Sequence, residues 1–298
     1  MKQIALAIYP HTRPFFIEVF VATMKVLQSL GHDTFESPAP GVASADLEIV
    51  FGAAFKHYGI PLWPKRSDRK CIHINWEPLP LNKEQFNEAT GRRRNALIEL
   101  GEVAHQVNGV MHVSRENVEV AKSYTQMMGL DTQHVFLPIG YHESFDHSDL
   151  VLPQTNDALF FGLMSDHRKA LLNRIKTQIN VVETQSLFGE ARDRAIAQTK
   201  INLNLHVTDH PVSVGVRVPV MFLSSGRFFV SEDLKWWNPF KDGEHYMLWN
   251  QEDPDFFRKV LSDEELRTRI GTQGREFLRS EFRYSDLLQK ALKELDAL

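Results

Sequence analysis

Short apolar runs alternate with helical stretches along this chain, and that alternation constrains the fold more than any other feature. The first half contains the runs QIALAIY, LEIVFGAA, KCIHINW, NGVMHVS and HVFLPIG. Runs that are apolar throughout, rather than at every second residue, are typical of parallel strands buried on both faces. The first helical stretch, from Pro14 to Leu30, has a proline at its start and Gly31 just after its end. This half therefore predicts a doubly wound α/β domain.

The second half repeats the pattern after a polar segment from Tyr141 to Ala158. Its strand candidates are LFFGLM, INVVETQ, INLNLHV and RFFVSED, with helices between them, and Ser262 with Glu265 predicts a capping box for a later helix. We expect two Rossmann-like domains, residues 1–145 and 155–298, with a cleft between them. The last helices are candidates to pack back on the first domain.

Composition excludes several classes of protein. The chain has 298 residues, one cysteine (Cys71) and a formal net charge of −4. A single cysteine excludes an internal disulfide framework and favours a reducing, cytoplasmic location. The sequence contains no run of about 18 apolar residues, so we expect no membrane span. Neither a P-loop nor a GxGxxG dinucleotide motif is present.

The stretch KINLNLH is unusual for a buried strand. Period two places Ile201, Leu203 and Leu205 on one face, and the polar residues on the other are Asn202, Asn204 and His206. We expect the polar face either to contact a ligand or to bond neighbouring loops, and the residues alone do not choose between these.

Other polar residues follow strands, where open parallel sheets bind ligands. Gly162 ends one strand, and Arg168 opens a helix that could bind phosphate, although an ordinary turn capped by Ser165 or Asp166 has the same pattern. Two further cations and a small-residue turn complete the set that a nucleoside diphosphate would need: Lys200, Arg217, Ser224, Ser225, Gly226 and the carboxylate Glu232.

The order of these pieces resembles a known family. The segments LFFGLMSDHRK, LFGEARDRAIAQTKINLNLH, VGVRVPVMFLSSGRFFVSED and DGEHYMLW follow one another as in the carboxyl-terminal half of glycosyltransferases of the B fold. The similarity covers roughly residues 158–285 and is greatest to group 1 enzymes and CgeB-like spore-maturation proteins. It implies a metal-independent transfer, with retention, from a UDP-type or GDP-type nucleotide sugar as co-substrate, and no other cofactor.

The resemblance also implies roles for residues. It gives the donor contacts as Gly162, Arg168, Lys200, Asn204, His206, Arg217, Ser225, Gly226 and Glu232. Arg217 would also stabilise the leaving diphosphate. Many relatives carry a glutamate near this arginine, whereas this chain has valines and Pro219 around it. The contact to ribose is therefore in doubt.

The first half resembles the same enzymes in IHINWEPLP and VFLPIGYHE. It implies an acceptor domain over residues 1 to about 140, in which Glu77 or His11 would be the catalytic base. Capping of a turn is the structural alternative for Glu77.

Three alternatives remain at the level of sequence. The missing glutamate favours a catalytically silent protein that binds a nucleotide or sugar. The basic stretch KHYGIPLWPKRSDRK would suit a modified base in DNA as the acceptor, instead of a glycan or small molecule, although a solvated loop and helix face is the favoured interpretation of its charges. The segment HVTDH brings His206, Asp209 and His210 together, but this spacing matches no strong zinc pattern, and we expect no metal.

Overall fold

The structure is a computed structural model that describes residues 1–10, 12–41, 44–52, 69–76, 79, 92–207, 215–234 and 237–298, with 92–96 described by their backbone. Its strands, in chain order, are β1 (Gln3–Ile8), β2 (Asp33–Ser37), β3 (Leu47–Phe51), β4 (Lys70–Asn75), β5 (Gly109–His112), β6 (Gln133–Phe136), β7 (Asn156–Phe161), β8 (Val181–Thr184), β9 (Thr199–Asn204), β10 (Phe229–Ser231) and β11 (Met247–Leu248).

The described helices cover the faces of the sheets. In chain order they are α1 (Arg13–Ser29), α2 (Arg92–Ala104), α3 (Arg115–Met127), α4 (Asp166–Lys176), α5 (Gly189–Ala197), α6 (Phe256–Ser262), α7 (Glu264–Glu281) and α8 (Tyr284–Glu294). Helix α1 ends, as predicted, before Gly31, whose φ of 83° is the left-handed conformation that glycine adopts without strain.

The chain divides into two compact units. The first consists of residues Met1–Pro138 and Tyr284–Leu298, and the second of Ile139–Arg283. The polar segment near 141–158 therefore lies in the second unit, while α8 lies in the first. Tyr284 fixes this helix, because its hydroxyl lies 2.8 Å from Oγ1 of Thr23, and Leu295 packs directly against Gly109.

The first unit contains a six-stranded sheet in the order β2-β1-β3-β4-β5-β6. Every neighbouring pair is parallel. Strand β2 was not among the predicted strands, because Asp33–Ser37 has no apolar run. It lies at the edge of the sheet, where only one of its two sides has a neighbouring strand, so its residues need not all be apolar.

The second unit contains a five-stranded parallel sheet in the order β11-β10-β9-β7-β8. The connection from β9 to β10 includes a π-helical segment, Val218–Phe222, and a 3₁₀ turn, Leu223–Ser225. Helix α7 opens at Asp263, whose Oδ1 accepts a hydrogen bond from the amide of Leu266 at 2.8 Å. The predicted cap at Ser262 was therefore wrong by one residue.

These two sheets confirm the predicted α/β class with two Rossmann-like units. In both, the strands run in one direction, so the residues that follow them share one edge. We call this the carboxyl edge of each sheet.

Candidate functional site

The guanidinium groups of two arginines approach the backbone at the turn after β7. Gly162 has a φ of 135°, and a Cβ placed on it would lie 2.8 Å from Nη2 of Arg217 and 3.7 Å from Nη1 of Arg168. The next helix, α4, is capped by Ser165, whose Oγ accepts from the amide of Arg168 at 3.2 Å. The backbone conformation therefore favours glycine here, and an added Cβ would displace the guanidinium of Arg217.

Arg168 uses its guanidinium to hold two loops together. Nε and Nη2 donate to the carbonyl of Leu205 at 3.1 and 2.8 Å, and Nη1 donates to the carbonyl of Leu163 at 2.6 Å. The side chain is buried and lies 5.2 Å from the ring of Phe160. Burial lowers its pKa to about 10, although nearby Glu232 opposes the shift. The guanidinium N–H groups that were expected to bind phosphate therefore donate largely to backbone carbonyls.

Arg217 differs from Arg168 in its hydrogen bonding. Its guanidinium lies 4.7 Å from the ring of Phe161, and Nη1 is fully enclosed with no hydrogen-bond partner among the described residues. Burial and the charge of Arg168 lower its pKa to about 9. A guanidinium at this pKa is still charged at neutral pH. An enclosed cation without a bonded anion is unfavourable, and a ligand anion would relieve this cost.

Glu232 follows β10 and is held by two donors. Nε2 of His167 donates to its Oε1 at 2.7 Å, and the backbone amide of His206 donates to its Oε2 at 2.5 Å. The carboxylate therefore joins the start of α4 to the loops that follow β9 and β10. His167 is the member of this group that the sequence did not single out, because a histidine at a helix start carries no specific signal.

His206 has its imidazole next to this carboxylate and interacts electrostatically with the two arginines. Its Nδ1 lies 3.9 Å from Oε2 of Glu232, and its Nε2 is buried with no hydrogen-bond partner among the described residues. Burial lowers the pKa of His206 to about 4, and its electrostatic interactions with His167, Arg168 and Arg217 add to the shift. The carboxyl edge of the second sheet thus holds two buried polar atoms, on His206 and Arg217, that have no partner within the described part of the chain.

The amides of KINLNLH serve the sheet itself. Nδ2 of Asn204 donates to Oγ of Ser231 at 2.9 Å, and Nδ2 of Asn202 donates to the carbonyl of Phe228 at 3.1 Å. Both side chains are buried and join β9 to β10. On the polar face that the sequence indicated, two buried atoms have no partner among the described residues: Oδ1 of Asn202, within β9, and Nε2 of His206, beyond the end of β9.

Three predicted donor contacts lie at the opposite edge. Lys200 is the second residue of β9 and pairs with Asp157 at 3.2 Å, roughly 13 Å from Asn204 at the rise of a strand. Oγ of Ser225 accepts from the amide of His147 at 2.9 Å and donates to the carbonyl of Phe145 at 3.1 Å.

Gly226 precedes β10 and adopts a φ of 65° at the end of the helical segment. A Cβ on Gly271 of α7 would lie 2.4 Å from its carbonyl oxygen. The expectation that Lys200 lies near the carboxyl edge is corrected, because it stands at the start of β9. Ser225 and Gly226 precede β10, as the sequence indicated, and their contact with the donor stays a prediction.

Several predicted residues lie outside the described residues, namely Glu77, His11, Asp209 and His210. Within the described part of the chain, no group of three or more His, Cys, Asp or Glu side chains could hold a metal ion. In that same part, none of the helices has both the length and the apolar character needed to span a membrane.

The first sheet has a buried polar chain that ends at its carboxyl edge. Oγ1 of Thr125 donates to the carbonyl of Ala121 at 2.9 Å and so accepts from Nε2 of His134 at 3.0 Å. Nδ1 of His134 then accepts from Nε2 of His112 at 3.0 Å, and Nδ1 of His112 accepts from Nδ2 of Asn75 at 3.1 Å. This histidine relay fixes both tautomers and orients the Asn75 amide.

Aromatic side chains lie next to Asn75. The rings of Phe16 and Trp76 stack with centroids 4.8 Å apart, and Nε1 of Trp76 is buried without a hydrogen-bond partner among the described residues. Phe15, with its centroid 6.3 Å from that of Phe16, is 56% exposed. Such rings can stack on a flat ligand face, and an indole N–H that lacks a partner can donate to it.

Comparisons with known proteins agree with this architecture. Residues 161–293, just under half of the chain, match the family model described as glycosyl transferase-like. A search of curated proteins finds no match.

Solved structures of similar fold include an α-glucosyltransferase in complex with UDP and a 13-mer DNA containing an HMU base, with 10% identity, a TM-score of 0.61 and 99% of each chain covered. Sucrose-phosphate synthase from Thermosynechococcus elongatus has 12% identity and a TM-score of 0.58 over 100% of each chain. WaaG, a glycosyltransferase involved in lipopolysaccharide biosynthesis, has 11% identity and a TM-score of 0.56, covering 97% of this chain and 99% of WaaG.

The likeness to these structures shows the fold, which is that of B-fold glycosyltransferases. Together with the sequence match over most of the second unit, it confirms the predicted class, a glycosyltransferase. The closer likeness to CgeB-like proteins stays a prediction.

Proposed function

We propose that this chain transfers a sugar from a nucleotide diphosphate sugar, of UDP or GDP type, to an acceptor hydroxyl. The second unit binds the donor at its carboxyl edge, and the first unit binds the acceptor. The reaction needs no metal ion and retains the configuration of the anomeric carbon, as the resemblance to group 1 and CgeB-like enzymes implies.

The observation that carries the proposal is the state of Arg217. Nη1 of this residue is enclosed and unpartnered beside the glycine turn at Gly162, where a side chain would block the approach. When the bond between the anomeric carbon and the phosphate oxygen breaks, its electrons pass to that oxygen. An enclosed guanidinium placed at that oxygen stabilises the developing charge without reorganisation.

Arg168 and Glu232 support the same site indirectly. Arg168 fixes the loops after β7 and β9 through the carbonyls of Leu163 and Leu205. Glu232 fixes the position of His167 and the backbone of His206. Arg168 and Glu232 can be required without contacting the nucleotide sugar. The guanidinium of Arg217 is positioned for the nucleotide only if these loops hold their positions.

The carboxyl edge of the first sheet supports the acceptor side of the proposal. Asn75 ends β4 there and Trp76 follows it, with the exposed ring of Phe15 close by. Glu77 and His11 remain the candidate bases on the acceptor side. A modified base in DNA is a second candidate acceptor, because one structure of this fold is an α-glucosyltransferase bound to UDP and DNA.

Thermal unfolding with a panel of UDP, GDP, CDP, ADP and dTDP tests donor binding. A nucleotide that binds only the native state raises the midpoint of unfolding. We expect one nucleotide to raise it and Arg217→Met to remove the shift. Lys200→Ala is the matched control, because it removes a cation from the far edge of the same sheet and should leave the shift intact.

The alternatives give different results. Tight nucleotide binding without release of the nucleotide from any sugar donor would favour a silent binding protein. A shift that survives in Arg217→Met but disappears in Lys200→Ala would place the donor at the wrong edge and reject the proposal. Turnover that EDTA abolishes would reject its metal independence. Retardation of labelled DNA that weakens with salt would favour the DNA acceptor.

A further inference from the structure

The imidazole of His206 has two chemically different sides. Its Nδ1 faces Oε2 of Glu232 at 3.9 Å, and its Nε2 is enclosed with no hydrogen-bond partner among the described residues. The side chain as a whole is 10% exposed. The backbone amide of the same residue donates to Glu232, so the backbone of His206 is held next to the carboxylate.

The charged groups around this ring come from every described element next to it. Helix α4 contributes His167 and Arg168, the start of the helical segment contributes Arg217, and the end of β10 contributes Glu232. Three of these groups are cations or can become cations, against one carboxylate. Burial and these cations keep the pKa of His206 at about 4 while no anion is present.

An anion at the arginines would reverse that balance. It would cancel the charges of Arg168 and Arg217 and could accept a hydrogen bond from Nε2. Both effects favour the protonated imidazole. Protonated histidine donates from both nitrogens, so Nδ1–H could face Glu232 while Nε2–H faces the anion. His167 also has one nitrogen beside Glu232, but its side chain is 24% exposed, whereas Nε2 of His206 is a fully buried nitrogen without a partner among the described residues.

We propose that His206 takes up one proton from solvent when the diphosphate of the donor binds, so that the imidazolium bridges Glu232 and a phosphate oxygen. This inference rests on the proposed function, since it concerns the same donor. It makes His206 a binding residue whose charge depends on the ligand. No covalent bond forms or breaks in this step, and the proton returns to solvent when the nucleotide leaves.

The linkage has a definite sign. If the bound complex holds a proton that the free protein lacks, affinity must increase as pH falls toward the range in which His206 titrates. The donor itself must not titrate in this range. A terminal phosphate has a pKa near 6, so free UDP would exchange protons on its own, whereas the two esterified phosphates of a nucleotide sugar would not.

Isothermal titration calorimetry of the full chain at pH 6, with UDP-glucose or with GDP-mannose if the panel selects guanine, measures the proton directly. The heat is recorded in several buffers that differ in ionisation enthalpy, and its slope gives the protons taken up. We expect uptake approaching about one proton at this pH, declining at pH 8. His206→Asn, which cannot titrate, should reduce the slope to zero.

His147→Asn is the matched control. His147 also lies near a carboxylate, with Nε2 3.4 Å from Asp193, but its side chain is 40% exposed. Its backbone amide donates to Oγ of Ser225, at the other edge of the sheet. The slope should survive in this variant.

Donor binding with no proton uptake in the natural chain would overturn the inference and leave the proposed function standing. Uptake that persists in His206→Asn would also overturn it, because the proton would then reside elsewhere. If His206→Asn binds too weakly for calorimetry, the pH dependence of its dissociation constant, followed by thermal shift, decides in the same way. No binding of either nucleotide sugar would reject the proposed function itself, and the inference with it.

Discussion

Arg168 and Arg217 both approach Gly162, but they have different hydrogen-bond partners. Arg168 donates to the carbonyls of Leu163 and Leu205, whereas Nη1 of Arg217 has no described partner. Removing the guanidinium of Arg168 would leave the two carbonyls without their donors. Removing that of Arg217 would leave no described acceptor of Nη1 unsatisfied. The two arginines should therefore separate stability from ligand binding.

We expect Arg168→Met to lower the free energy of unfolding by roughly 3 kcal/mol, because buried carbonyls lose their donors. Arg217→Met should change it by less than about 1 kcal/mol, since a lost cation–π contact is offset by the removal of an unpaired charge. Urea unfolding of the nucleotide-free proteins measures both. Equal destabilisation by the two substitutions would contradict the distinction.

Gly162 makes a second prediction at this scale. Gly162→Ala adds a Cβ 2.8 Å from Nη2 of Arg217 at a φ of 135°, so we expect both strain of about 1–3 kcal/mol and loss of the nucleotide-dependent thermal shift. Gly189→Ala is the control, because it has a φ of 56° and no atom within 4 Å of the added Cβ. It should cost stability while leaving the thermal shift unchanged. A retained shift in Gly162→Ala would mean that Arg217 does not bind the nucleotide.

At the scale of elements, the histidine relay links β4, β5 and β6 to α3 with neutral imidazoles. Burial lowers the pKa of His134 from 6.5 to about 4, with Lys122 adding to the effect. Burial alone lowers that of His73 to the same value. The pKa of His112 is lowered well below its usual range by burial, by His134 and by His73.

The sign of the pH dependence follows from these shifts. The unfolded chain takes up protons near pH 6.5 and the folded chain only near pH 4, so stability is complete above pH 6.5 and is lost as the pH falls from 6.5 toward 4. Each of His73 and His134 should contribute on the order of 2 to 3 kcal/mol to this loss.

Urea unfolding of the full chain between pH 7.5 and pH 5 measures the effect. His134→Gln should make the dependence shallower, because one titrating group is gone. His105→Gln, at an exposed position outside the relay, should leave the slope as it is. A slope unaffected by His134→Gln would show that the relay does not govern the stability of this sheet in acid.

At the scale of the whole molecule, α8 follows the second unit in sequence but belongs to the core of the first. Leu288, Leu292 and Leu295 are fully buried there. The structural units are therefore discontinuous in sequence. A substitution in α8 should lower the stability of the first unit. It should leave the candidate donor site unchanged, because that site is formed from residues of the second unit.

We expect Leu292→Ala to destabilise the first unit by about 2–5 kcal/mol, through loss of buried apolar contact and the cavity that remains. Below its unfolding transition the variant should bind nucleotide with unchanged affinity. Lys293→Ala, exposed on the same helix, should leave stability within about 0.5 kcal/mol. A large loss of nucleotide affinity in folded Leu292→Ala would show that α8 also supports the donor site.

Local patterns account for what could be predicted. Apolar runs and helix ends are properties of short segments, so the sequence by itself determined two parallel sheets and placed Gly162, Arg168, His206 and Glu232 just after their strands. It failed for Lys200, because the charge of this residue was considered without asking at which end of its strand it stands.

Only the tertiary structure decided which of these groups has partners. The donors to Glu232 come from His167 and His206, 65 and 26 residues away along the chain. Whether Arg168 or Arg217 keeps an unpaired donor depends on carbonyls in loops that meet only after folding. The same holds for α8: the sequence offered the first domain as a candidate position for the last helices, and the fold assigns this helix to the first unit. Hydrogen-bond partners and burial are set by neighbours in space, and periodicity along a segment carries no information about them.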